Sequence, residues 1–227
     1  MNVKFIDLGV KEYKETWDYQ QAINSSLSAL KTGEADSNAM QHLLFVEHPH
    51  VYTLGKSGKE NNLLINGNFL KSIGASFFKT DRGGDITYHG PGQIVGYPII
   101  DLNALGIGVK QYVKTLENVI IATLKDYNID GILMEGATGV WIENVMAGKP
   151  GKICAIGVKV SRGITMHGFA LNVNSDLRYF SYINPCGFTD RTVTSMELLL
   201  GHKLNMEEVK YKLKKYFADY FKVEINS

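Results

Sequence analysis

Val109, Tyr112, Val113, Leu116, Val119, Ile120, Leu124 and Tyr127 recur at steps of three and four, which lines them up on one face and predicts a helix from Val109 to Tyr127 with that face buried. A second stripe, Met206, Val209, Leu213, Phe217 and Tyr220, follows Asn205. Asn205 as cap, Glu208 at the third helical position, and Leu204 with Val209 as an apolar staple predict where that helix begins. Thr194 with Glu197 makes another capping box, opening a short helix through Leu200 that Gly201 ends. A looser pattern suggests an early helix from about Lys11 to Leu30. Runs rich in β-branched and aromatic residues read as strands from Leu43 to Glu47, Ile94 to Ile100, Gly139 to Glu143, Lys152 to Val160 and Met166 to Val173. The last two read as a hairpin turning at Ser161-Arg162-Gly163. Helices and strands mix without strict βαβ alternation, so the expected class is α/β in the mixed α+β sense: a sheet with antiparallel parts, not a doubly wound Rossmann fold. No repeat or low-complexity linker divides the chain, and residues 1–227 are read as a single domain.

Composition narrows the classes. The 227 residues carry 24 Lys+Arg against 23 Asp+Glu, a formal charge of +1, and 44% are hydrophobic, which excludes a disordered tail and allows a sizeable core. The near-neutral balance argues against nucleic acid as the main partner. No apolar run approaches the ~18 residues of a membrane span, and charge interrupts Met1-Asn2-Val3-Lys4-Phe5-Ile6-Asp7 before a signal-peptide core forms. A cytoplasmic protein with no membrane partner is the expectation. Two cysteines cannot build a disulfide framework.

Candidate chemistry concentrates where glycines gather, at Leu54 to Gly58 and Arg82 to Gly92, both read as loops. In Asp81-Arg82-Gly83-Gly84-Asp85-Ile86-Thr87-Tyr88-His89-Gly90-Pro91-Gly92-Gln93, glycines let backbone approach a ligand and leave N–H groups unshielded, and Arg82 adds a cation. Neither phosphate-loop spacing is present, and tight turns alone would also account for the glycines. Cys154 lies in an apolar strand and reads as a core residue. Cys186, between the rigid Pro185 and the permissive Gly187, can be presented to a substrate, but a thiol needs a partner to become the reactive thiolate. Lys152, opening an apolar strand, is the candidate partner, with His89 and His167 as competitors. His48 and His50 flank Pro49 with no third ligand at metal spacing, so no metal site is expected. From Asn144 to Ser175 the chain has Lys149, Lys152, Lys159 and Arg162 and no acid, which suits either a solvated face or an acidic protein partner.

Taken together, several segments resemble the lipoyl(octanoyl) transferases. They are Glu47-His48-Pro49-His50-Val51-Tyr52-Thr53-Leu54-Gly55, the run from Arg82 to Gln93, Gly139-Val140-Trp141, Lys152-Ile153-Cys154-Ala155-Ile156-Gly157, His167-Gly168-Phe169-Ala170-Leu171-Asn172-Val173, and Asn184-Pro185-Cys186-Gly187. The resemblance implies the fold shared with biotin and lipoate ligase catalytic domains, a mixed sheet flanked by helices. It also implies transfer of an octanoyl group from octanoyl-acyl carrier protein to a lysine of apo lipoyl domains, those of 2-oxoacid dehydrogenases and the glycine cleavage H protein, without a cofactor. By the same resemblance Cys186 attacks the thioester and Lys152 lowers its pKa or acts as acid and base. Arg82, Gly83, Gly84, Asp85, Ile86, Thr87, Tyr88 and His89, with Ala155-Ile156-Gly157 and Gly168-Phe169-Ala170, would line the acyl site and include N–H groups for an oxyanion.

Two departures touch partner docking: Lys56 stands where many relatives carry Arg, and Glu135-Gly136-Ala137-Thr138 precedes Gly139 where a basic residue is common. The competing readings are an ATP-dependent ligase of the same fold, which needs no nucleophilic thiol, and a non-catalytic carrier-protein binding module. Cys186 argues against both.

Overall fold

The computed structural model describes residues 1–33, 40–184 and 191–226. Among them nine strands form one sheet. Its first strand β1 (Asn2–Val10) leads through helix α1 (Tyr13–Thr32) to β2 (Gln41–Glu47), parallel to β1, a βαβ unit. A three-stranded sheet follows, with β3 (Val51–Leu54) between β4 (Ser76–Lys79) and β5 (Ile86–His89). Helix α2 (Gly67–Ser72), capped by the Asn66 side chain on Phe69 N, makes the crossover between the parallel β3 and β4.

The chain then returns to the large sheet as β6 (Gln93–Ile99), crosses in α3 (Val109–Lys125) and completes it with β7 (Ile132–Met134), β8 (Ala137–Met146), β9 (Lys149–Ser161), β10 (Ile164–Asn172) and β11 (Thr192–Val193). Helices α4 (Met196–Leu200) and α5 (Met206–Phe221) and an edge strand β12 (Glu224–Asn226) end the chain. The order across the sheet is β12-β1-β2-β6-β10-β9-β8-β7, with β11 pairing on β9. All positions of β6 and β10 are buried, as expected of central strands covered on both faces. One covering layer is α3, α4 and α5, whose Leu116, Val119, Ile120, Leu213 and Phe217 share a core with Leu43, Phe45, Ile94 and Leu171 of the sheet. The other is α1, whose Ile23 and Leu27 pack on Leu44, Val46 and Val95.

Local chemistry explains most boundaries. The Asn205 carboxamide accepts from Glu207 N at 2.9 Å and Glu208 N at 3.4 Å, starting α5 where the capping pattern put it. The β9–β10 hairpin turns through Arg162 at φ 54° and Gly163 at φ 82°, two left-handed residues that suit the twist of the flanking strands. The expected cap at Thr194 is displaced by one residue: Ser195 Oγ accepts from Leu198 N, and Thr194 is buried with its N–H on Lys152 O. The stretch from Arg82 to Gly92 is not one loop, because Ile86–His89 forms β5, and Val51–Leu54 just before Gly55 is β3. No helix among the described residues is long and apolar enough to cross a membrane.

Candidate active site

A cavity of about 640 Å³ opens where the small sheet meets β6, β9 and β10 of the large one. Its sheet side carries Ala155, Ile156 and Gly157 of β9 beside Gly168, Phe169 and Ala170 of β10. These are cross-strand partners in the ladder, Ala155 with Ala170, Ile156 with Phe169 and Gly157 with Gly168. Ala155, Gly157, Gly168 and Ala170 therefore lie on the same face, a pavement of small side chains that leaves width for a ligand. The facing wall is Arg82, Gly84, Asp85, Ile86, Thr87 and His89. Twelve of the fourteen residues expected at an acyl site thus surround one cavity. Gly83 and Tyr88 do not: Tyr88 points the other way from β5, fully buried against Tyr52, Tyr179 and Phe180, with its hydroxyl on His50 Nδ1.

Arg82 is buried, and each of its guanidinium nitrogens donates to protein oxygen: Nε and Nη2 to Thr53 Oγ1, Nη2 also to Thr53 O at 2.6 Å, and Nη1 to Gly83 O at 3.0 Å. Burial lowers its pKa. The group ties the glycine loop to β3 and leaves no open fork for a ligand carboxylate. From Thr53 the polar contacts run on. Gln93 Nε2 donates to Tyr88 O and Asn172 Oδ1, so its Oε1 accepts from His89 Nδ1–H at 2.8 Å. His89 Nε2 is then the acceptor toward Thr53 Oγ1 at 3.4 Å, and Asn172 Nδ2 donates to Thr194 O beside Lys152. Burial above all, aided by nearby His48, pushes His89 down to about 3, so it is neutral at neutral pH.

His167 sits mid-strand on β10 at φ 57°, a backbone region histidine enters more readily than most residues. Its Nε2 lies 2.8 Å from Asp81 Oδ1, and Asp81 Oδ2 takes Lys159 Nζ at 2.6 Å. The basic run between Asn144 and Ser175 is accordingly not one charged rim: Lys159 is paired with Asp81, while Lys152 turns to an aromatic ring. Lys152 lines the cavity, half-buried, with Nζ 4.6 Å from the Trp141 ring centroid. Cys154 faces the core, fully buried, and burial pushes its thiol up. Cys186 lies outside the described residues. Asn184 and Arg191, the described residues that bracket its segment, both line the cavity.

The family model of the lipoyl protein ligase A/B catalytic domain matches residues 12–218. An octanoyltransferase of Flavobacterium psychrophilum is 51% identical over 226 residues, 96% of each chain. The chain belongs to the octanoyltransferase family. It is therefore an acyltransferase. Among solved structures, a bi-partite lipoate protein ligase of Thermoplasma acidophilum has TM-score 0.69 at 14% identity, over 100% of this chain and 85% of that one. The biotin protein ligase of Aquifex aeolicus has TM-score 0.52 at 12% identity, over 98% and 69%. Both likenesses concern the fold, and they agree with the mixed sheet flanked by helices expected of this octanoyltransferase-family chain.

Sequence patterning missed Tyr13, Gln93, Asn172 and Arg191, and gave Trp141 no task, although all line the cavity. Gln93 ends the glycine-rich run, Asn172 stands in His167-Gly168-Phe169-Ala170-Leu171-Asn172, and Trp141 closes Gly139-Val140-Trp141, so motif membership was their one signal. Tyr13 opens a helix of ordinary composition and carried none.

Proposed function

We propose that this octanoyltransferase-family chain, acting as one catalytic domain in the cytoplasm, moves an octanoyl group from octanoyl-acyl carrier protein to a lysine of apo lipoyl domains in lipoate biosynthesis. The lipoyl domains of 2-oxoacid dehydrogenases and the glycine cleavage H protein are the acceptors. The Cys186 thiolate attacks the donor carbonyl, the carbon–sulfur bond to the carrier breaks, and the carrier's thiolate leaves and takes a proton from the Lys152 ammonium. The acceptor amine then attacks the acyl-enzyme, the bond to Cys186 Sγ breaks so that the thiolate is regenerated, and the now neutral Lys152 amine takes the proton that the acceptor nitrogen loses. Exchange of one thioester for another is nearly neutral and the amide is more stable than either, so no nucleotide is needed.

The observation that carries this reading is the rim of the cavity. Lys152 lines it, and Asn184, two residues before Cys186 in the chain, lines it too. The walls suit an alkyl chain, since Ile86, Val95, Ile156 and Phe169 add apolar lining beside the small-residue pavement. Arg82, engaged with Thr53 and Gly83, acts here by holding the loop rather than by gripping a carboxylate. Cys154, buried and with a raised pKa, is no competitor for the nucleophile.

The test is intact-protein mass spectrometry after mixing the chain with octanoyl carrier protein in the absence of ATP. An octanoyl adduct on wild type and on Cys154→Ala, none on Cys186→Ala, and transfer of that mass to an apo lipoyl domain are expected. Full transfer by Cys186→Ala refutes the mechanism, and transfer only with ATP and free octanoate means ligation instead.

A further inference from the structure

The cavity has an open end and a closed one. Its lining includes the exposed Gly136, Thr138, Ser181 and Asn184, and also Tyr13, Tyr97 and His167, each 3% exposed or less. Lys152 belongs to the open end: it pairs across the sheet with Trp141, whose Nε1 donates to Ala137 O, next to Thr138. From Lys152 the β9 lining runs through Ala155 to Gly157, five positions on, about 16 Å of extended strand. Past Gly157 and its partner Gly168 the same face of the sheet is covered. On β6, Val95 and Tyr97 line the cavity, but Ile99, the next residue on that face, shares a core with Ile164 and with Ile23 and Leu27 of α1. Tyr13 is the first residue of α1 and lines the cavity, so it stands where the helix closes the space over the sheet.

Rings hold Tyr13 in that place. Its centroid lies 5.5 Å from Phe78 and 6.1 Å from His89, both stacked, and 5.3 Å from His48, edge-on. The polar side chains at the same end are committed to other tasks: Arg82 to Thr53 and Gly83, His89 to Gln93, Tyr97 to His48 and His167 to Asp81. An aromatic ring wedged in a close-packed interior does not swing aside for a ligand. We propose that Tyr13 is the stop that sets the longest acyl chain this protein transfers. The acyl carbonyl lies at the Lys152 end, the chain runs past Ala155 and Ala170 toward Gly157 and Gly168, and its last carbon meets the Tyr13 ring. This rests on the acyl-transfer reading, and it adds the residue that discriminates between chains of different length. A methylene beyond the stop finds no space, so it either strains the packing or draws the carbonyl back from the open end.

The experiment measures kcat/KM for octanoyl, decanoyl and dodecanoyl carrier protein, with an apo lipoyl domain as acceptor, in wild type, Tyr13→Phe and Tyr13→Leu, and follows the thermal unfolding of each. Wild type is expected to favour octanoyl over dodecanoyl at least tenfold, and Tyr13→Leu to raise the dodecanoyl-to-octanoyl ratio about tenfold. Tyr13→Phe keeps the ring and is expected to keep the wild-type ratio. Because Tyr13→Leu takes a ring out of the core, Tyr13→Met is the second variant: its side chain fills more of the space yet is flexible enough to yield to a longer chain, and the same rise in ratio is expected. An unchanged ratio in a folded Tyr13→Leu or Tyr13→Met overturns the proposal, as does a Tyr13→Phe that shifts as far as Tyr13→Leu. A wild-type profile with no drop up to dodecanoyl overturns it whatever the variants do. Transfer of no chain from carrier protein by wild type overturns the acyl-transfer reading itself, and this role with it.

Discussion

Arg82 illustrates how a residue's surroundings decide its task. A lysine at that position keeps the charge but presents one nitrogen, so it cannot reach Thr53 and Gly83 together as the guanidinium does. Arg82→Lys should lower stability by about 2–3 kcal/mol, because Thr53 O and Oγ1 are left without their donors inside the protein. Urea unfolding measures it, and a variant as stable as wild type would show that the loop does not depend on this anchor. At Lys152 the expectation is different in kind: Lys152→Ala should reduce octanoyl transfer at least a hundredfold, read by acceptor mass, while leaving the unfolding midpoint nearly unchanged. The contrast was partly legible in the sequence. Lys152 stood out as a charge opening an apolar strand, whereas the use Arg82 makes of Thr53, 29 residues away, is a tertiary contact that no local pattern encodes.

Elements carry the next level of consequence. The cross-strand pairs of Ala155 with Ala170 and Gly157 with Gly168 set the width of the cavity's sheet side. Ala170→Val puts two methyl groups into that width, so transfer of a hexanoyl group relative to octanoyl should rise about tenfold, measured as a ratio of kcat/KM values. An unaltered ratio would mean that the chain does not run along the pavement. Gly168 is less forgiving, since a Cβ there would press on the Gly96 carbonyl oxygen, which is backbone and cannot move aside. Periodicity gave α3 and α5 because each buries one long stripe, and Asn205 announced its own helix. The short strands β3 and β5 escaped notice for a physical reason: four residues among glycine, histidine and proline offer no pattern until they pair with each other. The cap of α4 went to Ser195 because Thr194 is drawn into the core beside β9.

Across the whole molecule, the joint between the two sheets is held by histidines that must stay neutral. His48 Nδ1–H donates to Lys11 O at 2.7 Å and its Nε2 accepts from the Tyr97 hydroxyl at 2.8 Å, so both ring nitrogens are committed inside a fully buried site. Burial lowers its pKa to about 4, and lowers that of His89, which faces the cavity, to about 3. Unfolded, each ring titrates near 6.5. Between that value and the folded one the unfolded chain binds protons that the folded chain refuses, so folding stability is complete above about pH 6.5 and falls as the pH drops through this window. Each histidine contributes a slope of about 1.4 kcal/mol per pH unit there. Asp81 acts in the same direction at lower pH: its hydrogen bond to His167 and its pairing with Lys159 hold its carboxyl below the usual range, and that stability is lost as it protonates. Urea midpoints measured from pH 7.5 to 4.5 should therefore decline steeply, and His48→Gln, destabilised at pH 7.5, should decline less steeply by about one proton's worth of slope. Parallel curves for wild type and His48→Gln would show that His48 is not one of the groups that makes this fold acid-sensitive.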